Sequence, residues 1–139
     1  MGTKRHIIVD RKGIPLGVVL TGANVHDAKA HNEAWSSMIL VRPDSDEMIQ
    51  HACEDKAYDS EDPRAWLAAR GYVVHIPHRG LDTDLPSRRG RHPARRWVVE
   101  RTARWHNLFR RLKIRYEKKP ENYLGFVCFA NAIICFRSC

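Results

Sequence analysis

Two acidic residues stand where a carboxylate could do chemistry. Asp55 follows Met48–Cys53, MIQHAC, a short run that reads as a strand. An acid just past the carboxyl end of a strand is a common seat for catalytic groups in sheet proteins. Glu100 lies 45 positions later, alone among cations in RRWVVERTARWHNLFRRL, residues 95–112. Hard oxygen ligands so placed suit Mg²⁺ or Mn²⁺, which keep several waters and bind substrate phosphates. Such ions can activate an attacking oxygen and stabilise a leaving one. Each acid also has a plainer reading. On a helix Glu100 falls beside Arg96 at i−4 and Arg104 at i+4, the pattern of a solvated salt-bridge face. Glu54, Asp59 and Asp27 compete with Asp55 as ligands.

Cations surround the glutamate. Arg88, Arg89, Arg91, Arg95, Arg96, Arg101, Arg104, Arg110, Arg111 and Lys113 cluster around Trp97 and Trp105. Arginine forks match phosphates, and each phosphate neutralised releases counterions. Trp97 could stack on a splayed base or pack in a core. The net charge of +8 is uneven. Residues 1–78 carry 9 Lys/Arg against 11 Asp/Glu, and residues 79–139 carry 15 against 5. The partner implied is a polyanion, with nucleic acid the first candidate. Other chemistries find no support. His26 and His31 are five apart, not at the spacing of a helical zinc pair. There is no GxxxxGK[ST] or GxGxxG, and no Ser or Cys stands in a nucleophile context.

The elements that must position these residues follow from periodicity. Lys4–Asp10 and Ile14–Thr21 read as two strands joined by the turn Arg11-Lys12-Gly13, an antiparallel hairpin. Asp27 is placed to cap a helix to about Leu40, with Ala30, Ala34, Trp35 and Met38 inward. Residues 41–47 form a polar loop, and Met48–Cys53 a third strand. Ser60 caps a helix to Ala69, Gly71 stops it, and Tyr72–Ile76 is a fourth strand. A Pro/Gly/Arg-rich loop, His78–His92, leads to the basic helix. There Val98, Trp105, Phe109 and Leu112 make one apolar stripe. A last helix, about Glu121–Phe136, is apolar on most sides and expected to be buried. The order predicts one α/β domain, a mixed sheet with helices packed on it.

Four cysteines show no CxxC pair, and Cys128 and Cys135 are expected to be buried thiols in a reducing compartment. The first residues lack the apolar stretch of a signal peptide, and no run is long enough to span a membrane. A cytoplasmic, nucleoid-associated protein is expected.

Taken in order, these segments resemble a DDE transposase of bacterial insertion sequences, specifically the insertion-sequence-five group. KRHIIVDRKGIPLGVVLTGANVHD resembles the segment leading to that group's Asn-x-His-Asp turn. Cys53 to Asp59, CEDKAYD, resembles its second-aspartate motif. Arg95 to Thr102, RRWVVERT, resembles its glutamate motif, with Arg96 four positions before Glu100. Asn122 to Phe126, NYLGF, resembles the closing helix. The resemblance implies a ribonuclease-H-like mixed sheet flanked by helices, here lacking the first, central strand. It makes Asp55 and Glu100 the second and third acids of a triad holding divalent metal, Mg²⁺ or Mn²⁺. It implies DNA binding through Arg91, Arg95, Arg96, Arg101, Arg104 and Trp97. The partners implied are double-stranded DNA at element ends and target, and a homo-oligomer or an upstream-frame product. Three departures stand out. Asp10 does not match the first-aspartate motif, so the triad is incomplete and the chain alone is expected to be an inactive, truncated transposase part. Ala57 replaces a usual Gly, and Asn107 a frequent Lys. A non-catalytic, basic DNA-binding remnant is the alternative.

Overall fold

The computed structural model describes residues 2–44, 46–78 and 96–138. They form two compact units, residues 1–40 with 97–139, and residues 41–96.

The first unit is built on a hairpin. Strand β1 (Thr3–Val9) pairs antiparallel with β2 (Pro15–Gly22), His6 opposite Val19. Alternation along β2 sends neighbouring residues to opposite faces. Val19 joins Ala30, Ala34 and Ile8 on one face, beside helix α1 (His31–Ser36). Val18 and Leu20 pack on the other against Leu112, Tyr123, Val127 and Ala130, which belong to α4 (Arg110–Lys113) and α5 (Pro120–Phe136). The ribbon is therefore covered on both sides.

Helix α1 is shorter than its sequence pattern suggests. A 3-10 turn, Asp27–Ala30, precedes it, capped by the His26 ring, which accepts from the Ala28 N–H at 3.3 Å. Beyond Ser37, the Ile39 N–H donates to the Leu16 carbonyl at 3.3 Å. The chain thus leaves the helix to run beside β2. Gly17 permits this approach, because a Cβ there would lie 2.6 Å from Ser37 Oγ and 2.9 Å from the Met38 nitrogen.

The basic helix α3 spans Arg96–Leu108. It was expected to continue through Leu112, but Phe109 is extended, at φ −82 and ψ 112. The break brings Phe109 and Leu112 into the cluster of Tyr123 and Val127. Tyr123 Oη donates to the Leu112 carbonyl at 2.9 Å, satisfying a group left by the helix end. Helix α5 corrects a second expectation. Tyr123, Val127, Ala130 and Ile134 recur four, three and four apart and form its buried side. The opposite side is exposed, including Phe129 at 66% and Phe136. Cys128 lies on that exposed side and Cys135 is half-buried, so neither is the core thiol expected.

The second unit is a βαβ crossover. Strand β3 (Gln50–Cys53) pairs parallel with β4 (Tyr72–His75), Gln50 opposite Tyr72, and α2 (Glu61–Ala68) makes the connection. Parallel neighbours need such a crossover. Leu67, Ala52 and Ile76 are its buried apolar residues. Ser60 holds the cap position of α2 without a side-chain bond, and Gly71 ends the helix at φ 75. The class is mixed α/β as expected, but among the described residues the strands pair as two ladders rather than one sheet. Each ladder joins strands that a single hairpin or crossover makes neighbours. The loop expected over 78–92 lies, beyond His78, outside the described residues.

Candidate metal and DNA site

Asp55 sits where strand β3 gives way to a 3-10 turn, Lys56–Tyr58, in the second unit. The Glu54 N–H donates to the His75 carbonyl at 3.1 Å, carrying the strand pairing to the residue before it. Asp55 is half-buried and extended, φ −76 and ψ 156, and its side chain does not cap the turn that its carbonyl begins. Ala57 lies inside that turn. No described residue other than glycine has positive φ, so this turn does not need the usual Gly.

Asp59, Asp27 and Asp10 make structural bonds. Asp59 Oδ1 accepts from Arg64 at 2.7 and 3.2 Å and lies 3.3 Å from His78 Nδ1. Arg64 also donates to the Ile76 carbonyl at 2.6 Å, tying α2 to the end of β4. Asp27 accepts from Lys4 Nζ at 2.8 Å. That hydrogen bond, against the opposing pull of burial and with help from the Lys4 charge, holds its carboxyl below the ordinary range. Asp10 Oδ1 accepts from the backbone N–H groups of Lys12 and Ile14, both at 2.8 Å, and so builds the hairpin turn.

Glu100 is exposed on α3, in the first unit. The helix turns a different side inward. Val98, Thr102 and His106, each four residues apart, are its most buried residues. Thr102 Oγ1 donates to the Gly13 carbonyl at 2.5 Å. His106 Nε2 lies 2.6 Å from Asn131 Oδ1 on α5. Burial, opposed by that Asn131 bond and reinforced by the Arg5 charge, keeps the His106 ring's pKa below 6.5.

The cations expected to bind DNA divide. Arg104 is exposed, and Trp97 is 59% exposed, which agrees with a surface rather than a core role. Arg101 is half-buried. Its guanidinium lies 5.1 Å from the Trp97 ring centre and 5.0 Å from that of Trp105, and it donates to the Lys12 carbonyl. Arg91, Arg95 and the Arg96 side chain lie outside the described residues. Asn107 accepts from Arg5 at 2.9 Å, an exposed bond to β1.

Among the described residues no group of three His, Cys, Asp or Glu is arranged to hold a metal. The histidines bond locally, His6 to Thr21 at 2.7 Å and His51 to His75 at 2.9 Å. A cavity of about 690 Å³ lies along α5, lined by Arg111, Tyr116, Glu117, Phe126 and Phe129 among others, and neither Asp55 nor Glu100 lines it. No described helix is long and apolar enough to cross a membrane. Sequence reasoning missed the Arg101–Thr102 hold on the hairpin turn and the His106–Asn131 pair. A signal for both was present in the four-residue spacing of Thr102 and His106 from Val98, which continues the buried ridge through polar residues.

The family model described as "Transposase DDE domain" matches residues 1–130. A relative named as a transposase for insertion sequence element IS402, from Burkholderia cepacia, is 35% identical over 99% of this chain and 64% of its own. One named as a transposase for insertion sequence element IS6501, from Brucella ovis, is 27% identical over 99% of this chain and its whole length. The chain thus spans just under two thirds of the first of these relatives. No solved structure matches it. A match over nearly the whole chain, with the strand-end aspartate and helix glutamate inside it, gives one conclusion: the chain belongs to the DDE transposases of insertion sequences.

Proposed function

We propose that this chain supplies two of the three acids of a transposition site, Asp55 and Glu100. The reading takes the chain to be part of an insertion-sequence-five transposase with a ribonuclease-H-like catalytic domain. Its partner is double-stranded DNA at the element's ends and at the target. One observation carries it: within the family match, Asp55 stands where strand β3 ends and the turn Lys56–Tyr58 begins, and Glu100 is exposed on the basic helix α3.

The donor set fits a hard divalent cation. Both side chains are carboxylates, one half-buried and one exposed, with room for water as the remaining ligands. Mg²⁺ or Mn²⁺, when bound, supplies positive charge against the oxygens of a phosphodiester under attack. The chain's own part is to fix the carboxylates, Asp55 through the β3 end and Glu100 through α3, and to hold the DNA backbone with α3's outward cations. Cleavage forms a phosphorus–oxygen bond from water and breaks the bond to O3′, releasing a 3′-hydroxyl. Strand transfer repeats the exchange with that hydroxyl as the attacking oxygen. Asp10 is committed to its turn and is not taken as the third acid, and a site offering Asp55 and Glu100 alone would not cut DNA.

The test is Mn²⁺ uptake by the purified chain, followed by the loss of the free-ion paramagnetic resonance signal. Asp55→Asn and Glu100→Gln should each weaken uptake by about tenfold or more. Uptake by both variants equal to the wild type would remove the metal site and leave only a basic, DNA-binding chain.

A further inference from the structure

We infer that the tip of the first hairpin, Arg11 and Lys12, is a DNA-phosphate contact held against α3 by Arg101 and Thr102. The inference rests on the proposed reading of the chain as part of a DNA-acting transposase, because it names a group that holds the DNA backbone.

The tip is fixed from two sides. Within the hairpin, Asp10 Oδ1 accepts from the N–H groups of Lys12 and Ile14, and the Gly13 N–H donates to the Asp10 carbonyl at 3.0 Å. From α3, Arg101 donates to the Lys12 carbonyl and Thr102 to the Gly13 carbonyl, so two consecutive helix residues grip two consecutive tip residues. Gly13 is buried at φ 81, and a Cβ there would stand 2.8 Å from the Arg101 guanidinium and 3.1 Å from Thr102 Oγ1. The side chains of Arg11 and Lys12 remain exposed. Hairpin tips commonly carry charge for solubility, and there the backbone is free to move. Here it is immobilised, so a ligand need order only the two side chains, which lowers the cost of binding.

Helix geometry fixes what lies next to the tip. Trp97, Arg101 and Trp105 form one i, i+4 row of α3, and Glu100 and Arg104 form the adjoining row. The tip docks across Arg101 and Thr102, and Thr102 lies about 160° round the helix from Glu100. Arg101 is the holder rather than the contact. Its guanidinium is bonded to Lys12 and lies against both tryptophans, and its Nε is buried without a hydrogen-bond partner.

The electrostatic need is specific. Glu100 is the single acid of α3, and a phosphate brought beside it meets like charge. Arg104, one turn along the helix from Glu100, offsets that repulsion, and Arg11 and Lys12 add exposed positive charge at the tip docked on the same helix.

The experiment measures binding of the full chain to a mixed-sequence DNA duplex by fluorescence anisotropy over a series of KCl concentrations. Each lost phosphate contact lowers the slope of log affinity against log salt by about 0.9. Arg11→Ala/Lys12→Ala should therefore lower it by about 1.8 while thermal melting is unchanged. Lys118→Ala/Lys119→Ala removes the same charge from two other exposed positions and should lower it by less than half as much. An unchanged slope in the tip variant, or an equal fall in the control, overturns the inference and leaves the Mn²⁺ result at Asp55 and Glu100 standing. Wild-type chain that binds no duplex at low salt overturns both readings.

Discussion

His106 Nε2 lies 2.6 Å from Asn131 Oδ1, which fastens the glutamate-bearing helix to α5 inside the first unit. An amide oxygen only accepts, so Nε2 carries the hydrogen. Nδ1, buried with no hydrogen-bond partner, is the bare nitrogen of a neutral ring. Burial first, then the Arg5 charge, keeps the folded ring's pKa below the 6.5 of an exposed histidine, against the Asn131 bond. As pH falls, the unfolded chain takes up this proton before the folded one. Stability is therefore full above pH 6.5 and declines as pH drops through that value toward the folded pKa. His6, lowered mainly by burial, acts in the same direction. The urea midpoint should fall between about pH 7.5 and about pH 5.5. His106→Gln keeps a donor for Asn131 but does not titrate, and should flatten part of the fall. A wild-type midpoint independent of pH would contradict a neutral buried ring.

The acids separate into structural and metal-binding sets by two measurements on the same variants. Asp59→Asn weakens the pair with Arg64 at a carboxylate only 14% exposed, and should cost about 1–3 kcal/mol. Asp10→Ala frees two backbone N–H groups in the turn and should cost about 1–2 kcal/mol. Both should take up Mn²⁺ as the wild type does. Asp55→Asn should differ from both in uptake, weakening it by about tenfold or more. Normal uptake in Asp55→Asn together with loss in Asp59→Asn would move the ligand to Asp59.

The sequence made the element order legible because each signal was local. Alternation marked β1 and β2, Gly13 marked their turn, and Pro63 and Gly71 bracketed α2. The strand-end position of Asp55 was legible for the same reason. What failed depended on contacts distant in the chain. Apolar composition cannot tell the buried Val127 face of α5 from the exposed Phe129 face, since exposed apolar residues are common on folded proteins. Helix α3 reversed that error. Its buried ridge includes Thr102 and His106, whose partners Gly13 and Asn131 are 89 and 25 residues away. The break at Phe109 was hidden too, because its residues continue the helical period and only packing against Tyr123 favours the extended geometry.

The two faces of α5 make a direct comparison. Leu112 is 3% exposed and packs on the inner face, so Leu112→Ala should cost about 2–5 kcal/mol through lost burial and a cavity. Phe129→Ala on the outer face should change the unfolding free energy from urea titration by less than about 0.5 kcal/mol. Cys128 should react with a thiol reagent faster than Cys135, whose Sγ lies 3.7 Å from the Pro15 carbonyl. Equal losses from Leu112→Ala and Phe129→Ala would show that the outer face is covered in solution.

Two glycine substitutions should move stability in opposite directions, and the sign tests the grip of α3 on the hairpin. At Gly125, in the middle of α5, a Cβ meets nothing within 4 Å. Gly125→Ala should therefore stabilise by about 0.5–1 kcal/mol through the gain in helix propensity. At Gly13 the added carbon must take φ 81, disfavoured for any L side chain, and must also press on Arg101 and Thr102. Gly13→Ala should cost more than about 1 kcal/mol. If the chain relieves the clash by moving the tip off the helix, Arg11 and Lys12 lose their fixed position. The variant's salt slope for DNA then falls although both cations remain. A destabilised Gly13→Ala with the full wild-type slope would mean that the tip contacts DNA without needing the helix to hold it, or does not contact DNA at all. Arg11→Ala/Lys12→Ala separates those two cases.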